Sequence, residues 1–211
     1  RVVLNGLTRF FLELIAVPPD GAEVPRMGWL GVTAVLTFLA GWLGNLRVAL
    51  LTAFGLVFLG LQGLWTPSME SLAVTATAVL VALLIGIPLG ILTGLSDRAN
   101  RVATPVLDFM QTMPPFVYLA PLALFFGIGL AAAAITTLIF AAPPVIRLTA
   151  HGIRSVNRAT VEASQSLGST AGQTLTHVLL PMSRRTIVLG INQTIMAALS
   201  MVTIAALIDG P

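Results

Sequence analysis

The chain contains no lysine; all 11 of its basic side chains are arginine. A Walker A phosphate loop needs its lysine, so an ordinary one is excluded, and Schiff-base catalysis is excluded for the same reason. Cysteine is absent too, which removes disulfides, thiolate nucleophiles and zinc-finger sites. Charge of either sign is scarce, at 9% of the 211 residues, where an ordinary soluble domain carries roughly 25%. Hydrocarbon takes its place: 56% of residues are hydrophobic and the mean hydropathy is +0.96. A chain with so little polar surface cannot be solvated by water alone. It reads as an all-α membrane protein, a multi-span helical bundle.

A spanning helix needs about 20 apolar residues, and six apolar stretches stand out: 27–46, 48–65, 71–95, 116–129, 131–146 and 186–208. The fourth and fifth are short, and 102–115 is available to lengthen the fourth. All six are expected to be helical, because open strands leave backbone groups unsatisfied in lipid. No internal repeat or low-complexity tract is present.

Arginine sets the orientation. If 147–185 faces the cytoplasm, alternation puts Arg47, Arg98, Arg101, Arg147, Arg154, Arg158, Arg184 and Arg185 on the inner side. Arg1, Arg9 and Arg26 remain outside, offset by Glu13, Asp20, Glu23 and Glu70. The positive-inside rule therefore favours an extracytoplasmic N-terminus. The small net charge of +3 reflects this topology, not attraction to nucleic acid.

Residues 1–26 form a separate segment. Val3, Leu4, Leu7, Phe10, Phe11, Leu14 and Ile15 share one helical face, with Asn5, Arg9 and Glu13 on the other. That pattern suits a helix lying in the membrane interface, and equally a helix packed on the first spans. The interrupted apolar run is not a clean signal peptide, and the opening Arg leads to an expectation of N-terminal trimming.

The polar stretch EASQSLGSTAGQTLTHVLLP, 162–181, interrupts the hydrocarbon. Thr160–Leu167 reads as a short helix, with Glu162 near its positive end. Gly168 is placed to terminate it in the left-handed conformation. Thr170 and Gln173 make a capping box that starts a second helix at once, and Pro181 is expected to turn the chain into the last span. A rigid knob results, with small residues that permit close backbone approach.

Glu162-Ala163-Ser164, then Gly168, then Val178-Leu179-Leu180-Pro181 resembles the EAA loop of permease subunits in binding-protein-dependent ABC importers, with Ser164 in place of Ala and Val178 in place of Ile. The resemblance implies the type I ABC importer permease (MetI-like) fold over 27–211. It also makes the knob a coupling helix seated in a cleft of an ATPase subunit, with Leu180 and Pro181 closing the motif. IGIPLGILTGLSDR (85–98), QTMPPFVYLAPLALFFGIG (111–129), FAAPPVIRLTAHGI (140–153) and NQTIMAALSMVTIAALI (192–208) are similar to the glycine betaine/proline branch, so the likeness covers residues 70–210. It implies import of glycine betaine, proline or a related compatible solute, with choline, carnitine or taurine-like solutes as alternatives. The implied partners are an ABC ATPase that binds the ATP, an extracytoplasmic binding protein and a second permease copy; no cofactor of its own is implied. The expected location is the bacterial plasma (inner) membrane. The family pattern runs past Asp209 into another crossing, so a further C-terminal span is expected.

Prolines and glycines inside the spans (Gly86, Pro88, Gly90, Pro121, Pro143, Pro144) suggest bent or broken helices of the kind that border transport cavities. Gln111, Thr112, Tyr118, Asn192, Gln193 and Ser200 are the polar groups available to face such a cavity, although polar groups also join helices. A quaternary ammonium depends on aromatic faces, for which Phe116 and Tyr118 are placed. An ion-coupled carrier, the rival class, normally carries ionisable groups inside its bundle; here only Asp108 is ambiguous. No H-E-x-x-H or G-x-S-x-G occurs, and His151 and His177 lack ligand spacing.

Overall fold

A computed structural model describes residues 2–16, 27–126 and 130–209. Every regular element among them is helical, as expected for an all-α protein. Two compact units divide the chain, 1–77 and 78–211.

In the first unit, α1 (Val2–Ile15) precedes an apolar hairpin of α2 (Trp29–Leu43) and α3 (Leu46–Leu61). Leu12 and Ile15 pack with Ala16, Val32 and Met69, so the carboxyl half of α1 takes the packed alternative. Phe10, assigned to its apolar face, is exposed instead. Asn45 makes the hairpin turn possible by accepting the amide of Val48 at 3.1 Å, which caps α3. Helices of 15 and 16 residues rise only about 22–24 Å, short of the roughly 30 Å of hydrocarbon.

Among the described residues, three helices are long and apolar enough to cross a membrane. The first is α4, Trp65–Leu95, which begins six residues ahead of the expected 71. The second unit holds its carboxyl half together with α5 (Asp97–Thr112), α6 (Pro115–Phe126) and α7 (Leu130–Arg154). Of the fourth expected stretch, 116–129, residues 116–126 lie in α6, and 127–129 lie outside the described residues. The neighbouring 102–115 does not fuse with it. Met113 is extended, with ψ 133°, because a residue before proline is driven out of the helical region.

The fifth stretch continues past 146 to Arg154. Charge does not stop it, since Arg147 pairs with Asp108 and Arg154 with Asp97. The prolines inside the helices do not break them: α4 runs through Pro88, α6 through Pro121 and α7 through Pro143 and Pro144. Membrane helices tolerate proline when neighbours support the freed backbone, and α7 is packed on two sides. On one side Gly86, Gly90 and Gly94 of α4 present a flat stripe, where an added Cβ would come within 2.4 Å of Val145, 2.5 Å of Thr149 and 3.0 Å of Ile153. On the other, Gly152 faces Ser183 and Thr186, and Gly190 faces Leu148 and Val145. Small residues at each crossing let the backbones approach closely. Gly86 and Gly90, expected where helices bend or break, here seat two unbroken helices against each other.

Candidate functional site: the elbow after α7

After α7 the chain turns sharply. Asn157 accepts the amide of Ala159 at 2.9 Å and caps α8, Arg158–Ser166. The helix thus begins two residues before the expected Thr160. Glu162 consequently sits in its second turn, where the dipole is weak, and faces Arg158 at 3.6 Å. Both groups are largely exposed, so their pairing contributes little.

The carboxyl end of α8 is a complete Schellman motif. Gly168 has φ +87°; its amide donates to the Gln165 carbonyl at 2.9 Å, and the Ser169 amide reaches the Ser164 carbonyl at 3.2 Å. Ser164, the departure from the family Ala, serves this motif through its backbone. The capping box also forms: Gln173 Oε1 accepts the Thr170 amide at 2.8 Å, and Thr170 Oγ1 accepts the Gln173 amide at 3.4 Å. It opens α9, Ala171–Thr174.

Beyond α9 the structure departs from the expected turn. Residues Leu175–Leu179 form one π turn, and α10 (Leu180–Asp209) follows without interruption. Leu180 donates its amide to the Leu175 carbonyl, one residue further back than an α-helix would allow. Pro181, which has no amide to donate, comes two residues after the π turn, and the helix passes through it without a break. The helix that carries the last apolar stretch therefore runs from Ala171 to Ile204, beginning well before the stretch itself at 186.

The elbow presents an open surface. No residue of α8 is buried, Ala163 is exposed and Leu167 is 88% exposed. A helix of nine residues is marginal in water by itself, so its two caps and its packing against the π turn hold it. Asn157, Arg158 and Leu167 belong to this surface although sequence reasoning did not single them out. Asn157, a capping residue just ahead of the helix, was the available signal.

The expected pathway residues divide into two places. Gln111 and Thr112 end α5, while Phe116 and Tyr118 begin α6. The Tyr118 hydroxyl donates to the carbonyls of Met110 at 2.8 Å and Phe109 at 3.1 Å, closing the carboxyl end of α5. Phe116 is 52% exposed. Asn192 and Gln193 are exposed on α10, and no hydrogen bond joins them to the α5–α6 junction among the described residues. Ser200, also on α10, bonds back to the Met196 carbonyl at 3.0 Å.

Comparison with known proteins agrees with this geometry. A family model described as the binding-protein-dependent transport system inner membrane component matches residues 86–211. The chain is 42% identical over 180 residues to the glycine betaine transport system permease protein of Bacillus subtilis, covering 85% of this chain and 64% of the relative. It is 48% identical over 154 residues to the glycine betaine/carnitine transport permease of Listeria monocytogenes, covering 73% and 55%. Identity to the glycine betaine/proline betaine permease of Escherichia coli is 42% over 200 residues, covering 92% and 56%. The chain spans little more than half the length of these relatives. With its spanning helices and capped elbow, the chain belongs to the family of binding-protein-dependent transport system inner membrane components.

Proposed function

We propose that this chain is the membrane-spanning subunit of an ATP-driven importer for glycine betaine, proline or a related compatible solute. One observation carries the reading: a doubly capped elbow, with no buried residue in its first helix, continuous with a helix long and apolar enough to span a membrane. Such an elbow has nothing of its own to hold, so it serves as the grip for a partner. In the proposed mechanism an ATPase subunit binds ATP and closes around the elbows of two permease copies. Glu162, Ala163, Ser164 and Gly168 form the gripped surface, while Leu180 and Pro181 join it to α10. The spans then open outward to receive solute from an extracytoplasmic binding protein.

Within this scheme Gln111, Thr112, Phe116, Tyr118, Asn192 and Gln193 border the pathway. Phe116 offers an exposed aromatic face to a quaternary ammonium. Weak contacts suit a passage that the solute must also leave. Another small solute, such as carnitine, would use the same machinery, since one similar relative is named for it. An ion-coupled carrier fits less well, because Asp108, the one ambiguous acid of the spans, is neutralised by Arg147.

The test uses the full-length protein with its ATPase and binding protein in vesicles. The sequence has no native cysteine, so Leu167→Cys supplies a single attachment point. It should cross-link to the ATPase, and uptake should require ATP and resist an ionophore. Uptake that persists without the ATPase would reject the proposal.

A further inference from the structure

Arg154 is the last residue of α7, three positions ahead of the cap of α8, and its guanidinium reaches across to a different pair of helices. Nε and Nη2 donate to the Thr93 carbonyl at 3.2 and 3.0 Å, and Nη1 donates to Asp97 Oδ1 at 2.7 Å. Thr93 lies in the final turn of α4, so its carbonyl is one that the helix cannot satisfy internally. Asp97 is the first residue of α5. One side chain thus closes the end of one helix and holds the start of the next, across the joint at Leu95 and Ser96. Beside it, Gly94 and Gly90 seat α4 directly against Ile153 and Thr149 of α7. The guanidinium borders a cavity of ≈ 280 Å³ that is also lined by Asn100, Thr104, Arg147 and His151. With open space on that side, its hydrogen bonds and not side-chain packing determine where it points.

We propose that Arg154 is a positioning residue that carries movement of the elbow into the α4–α5 joint. The elbow then has two outputs, one along α9 and α10, the other through this guanidinium. The inference rests on the permease reading above. Lysine cannot substitute, because a single ammonium lacks the planar fork that engages a carbonyl and a carboxylate together.

The experiment places Arg154→Lys in the full-length Leu167→Cys protein, assembled with its ATPase and binding protein in vesicles. Two quantities are read: the cross-link from position 167 to the ATPase, and the ATP hydrolysed per solute imported. The expected result is a retained cross-link with the ATP-to-solute ratio raised about ten-fold. Asp97→Asn, which keeps an acceptor oxygen for the guanidinium but removes its charge, should raise the ratio less. An unchanged ratio in Arg154→Lys would overturn the inference and leave the permease reading standing. So would a cross-link that falls in step with uptake, since the residue would then serve folding or docking. Failure of Leu167→Cys alone to cross-link would remove the permease reading, and the relay with it.

Discussion

Glycine occupies two opposite environments in this chain, and the distinction decides which substitutions matter. At Gly168 an added Cβ meets nothing within 4 Å, but φ is +87°. The constraint there is conformational, and asparagine tolerates that region while β-branched residues do not. Gly168→Asn should therefore keep uptake in reconstituted vesicles near normal, and Gly168→Val should abolish most of it. At Gly90 the constraint is space: a Cβ would stand 2.5 Å from Thr149 Cβ and 2.9 Å from the Ile146 carbonyl. Gly90→Ala should cost about 1–3 kcal/mol through overpacking, seen as a lowered Tm of the purified protein. Gly172, helical with open space around it, is the control. Its alanine variant should be neutral or more stable by up to about 1 kcal/mol.

At the scale of elements, what was legible in the sequence was what is local. The capping box at Thr170 and Gln173 and the left-handed stop at Gly168 depend on a few adjacent residues, and both form as read. Thr170→Ala should cost about 1 kcal/mol and speed hydrogen exchange of the amides of α9, while leaving exchange in α7 unchanged. Proline was misleading because its effect is settled by neighbours. Pro143 and Pro144 sit in an unbroken helix held on both sides, and Pro181 follows a π turn that had no signature in the residue types. The actual break, at Met113, does follow from the Pro114-Pro115 pair that comes after it. Arg154 was counted only as a charge for topology; its partners, Thr93 and Asp97, lie roughly 60 residues earlier, a separation that no local pattern encodes.

For the molecule as a whole, the arginine distribution predicts which side each turn faces. Gln62, at the end of α3, should lie outside, and Leu167 inside. Because the sequence has no cysteine, Gln62→Cys and Leu167→Cys can be labelled one at a time with a membrane-impermeant reagent. Intact cells should label the first and not the second, and inverted vesicles the reverse. Exchange of the two results would invert the proposed orientation. The solute, by contrast, is not written in the spans in any form that residue chemistry alone reveals: Phe116 and Tyr118 suit a quaternary ammonium but would suit several.

From Ala171 to Ile204 the backbone keeps one helical course, 34 residues or about 51 Å of rod, with a single wide turn near its amino end. A joint made of loop would absorb part of any stroke as slack before the load moved. Here there is almost no backlash, so the far end of the rod should follow the motor in phase.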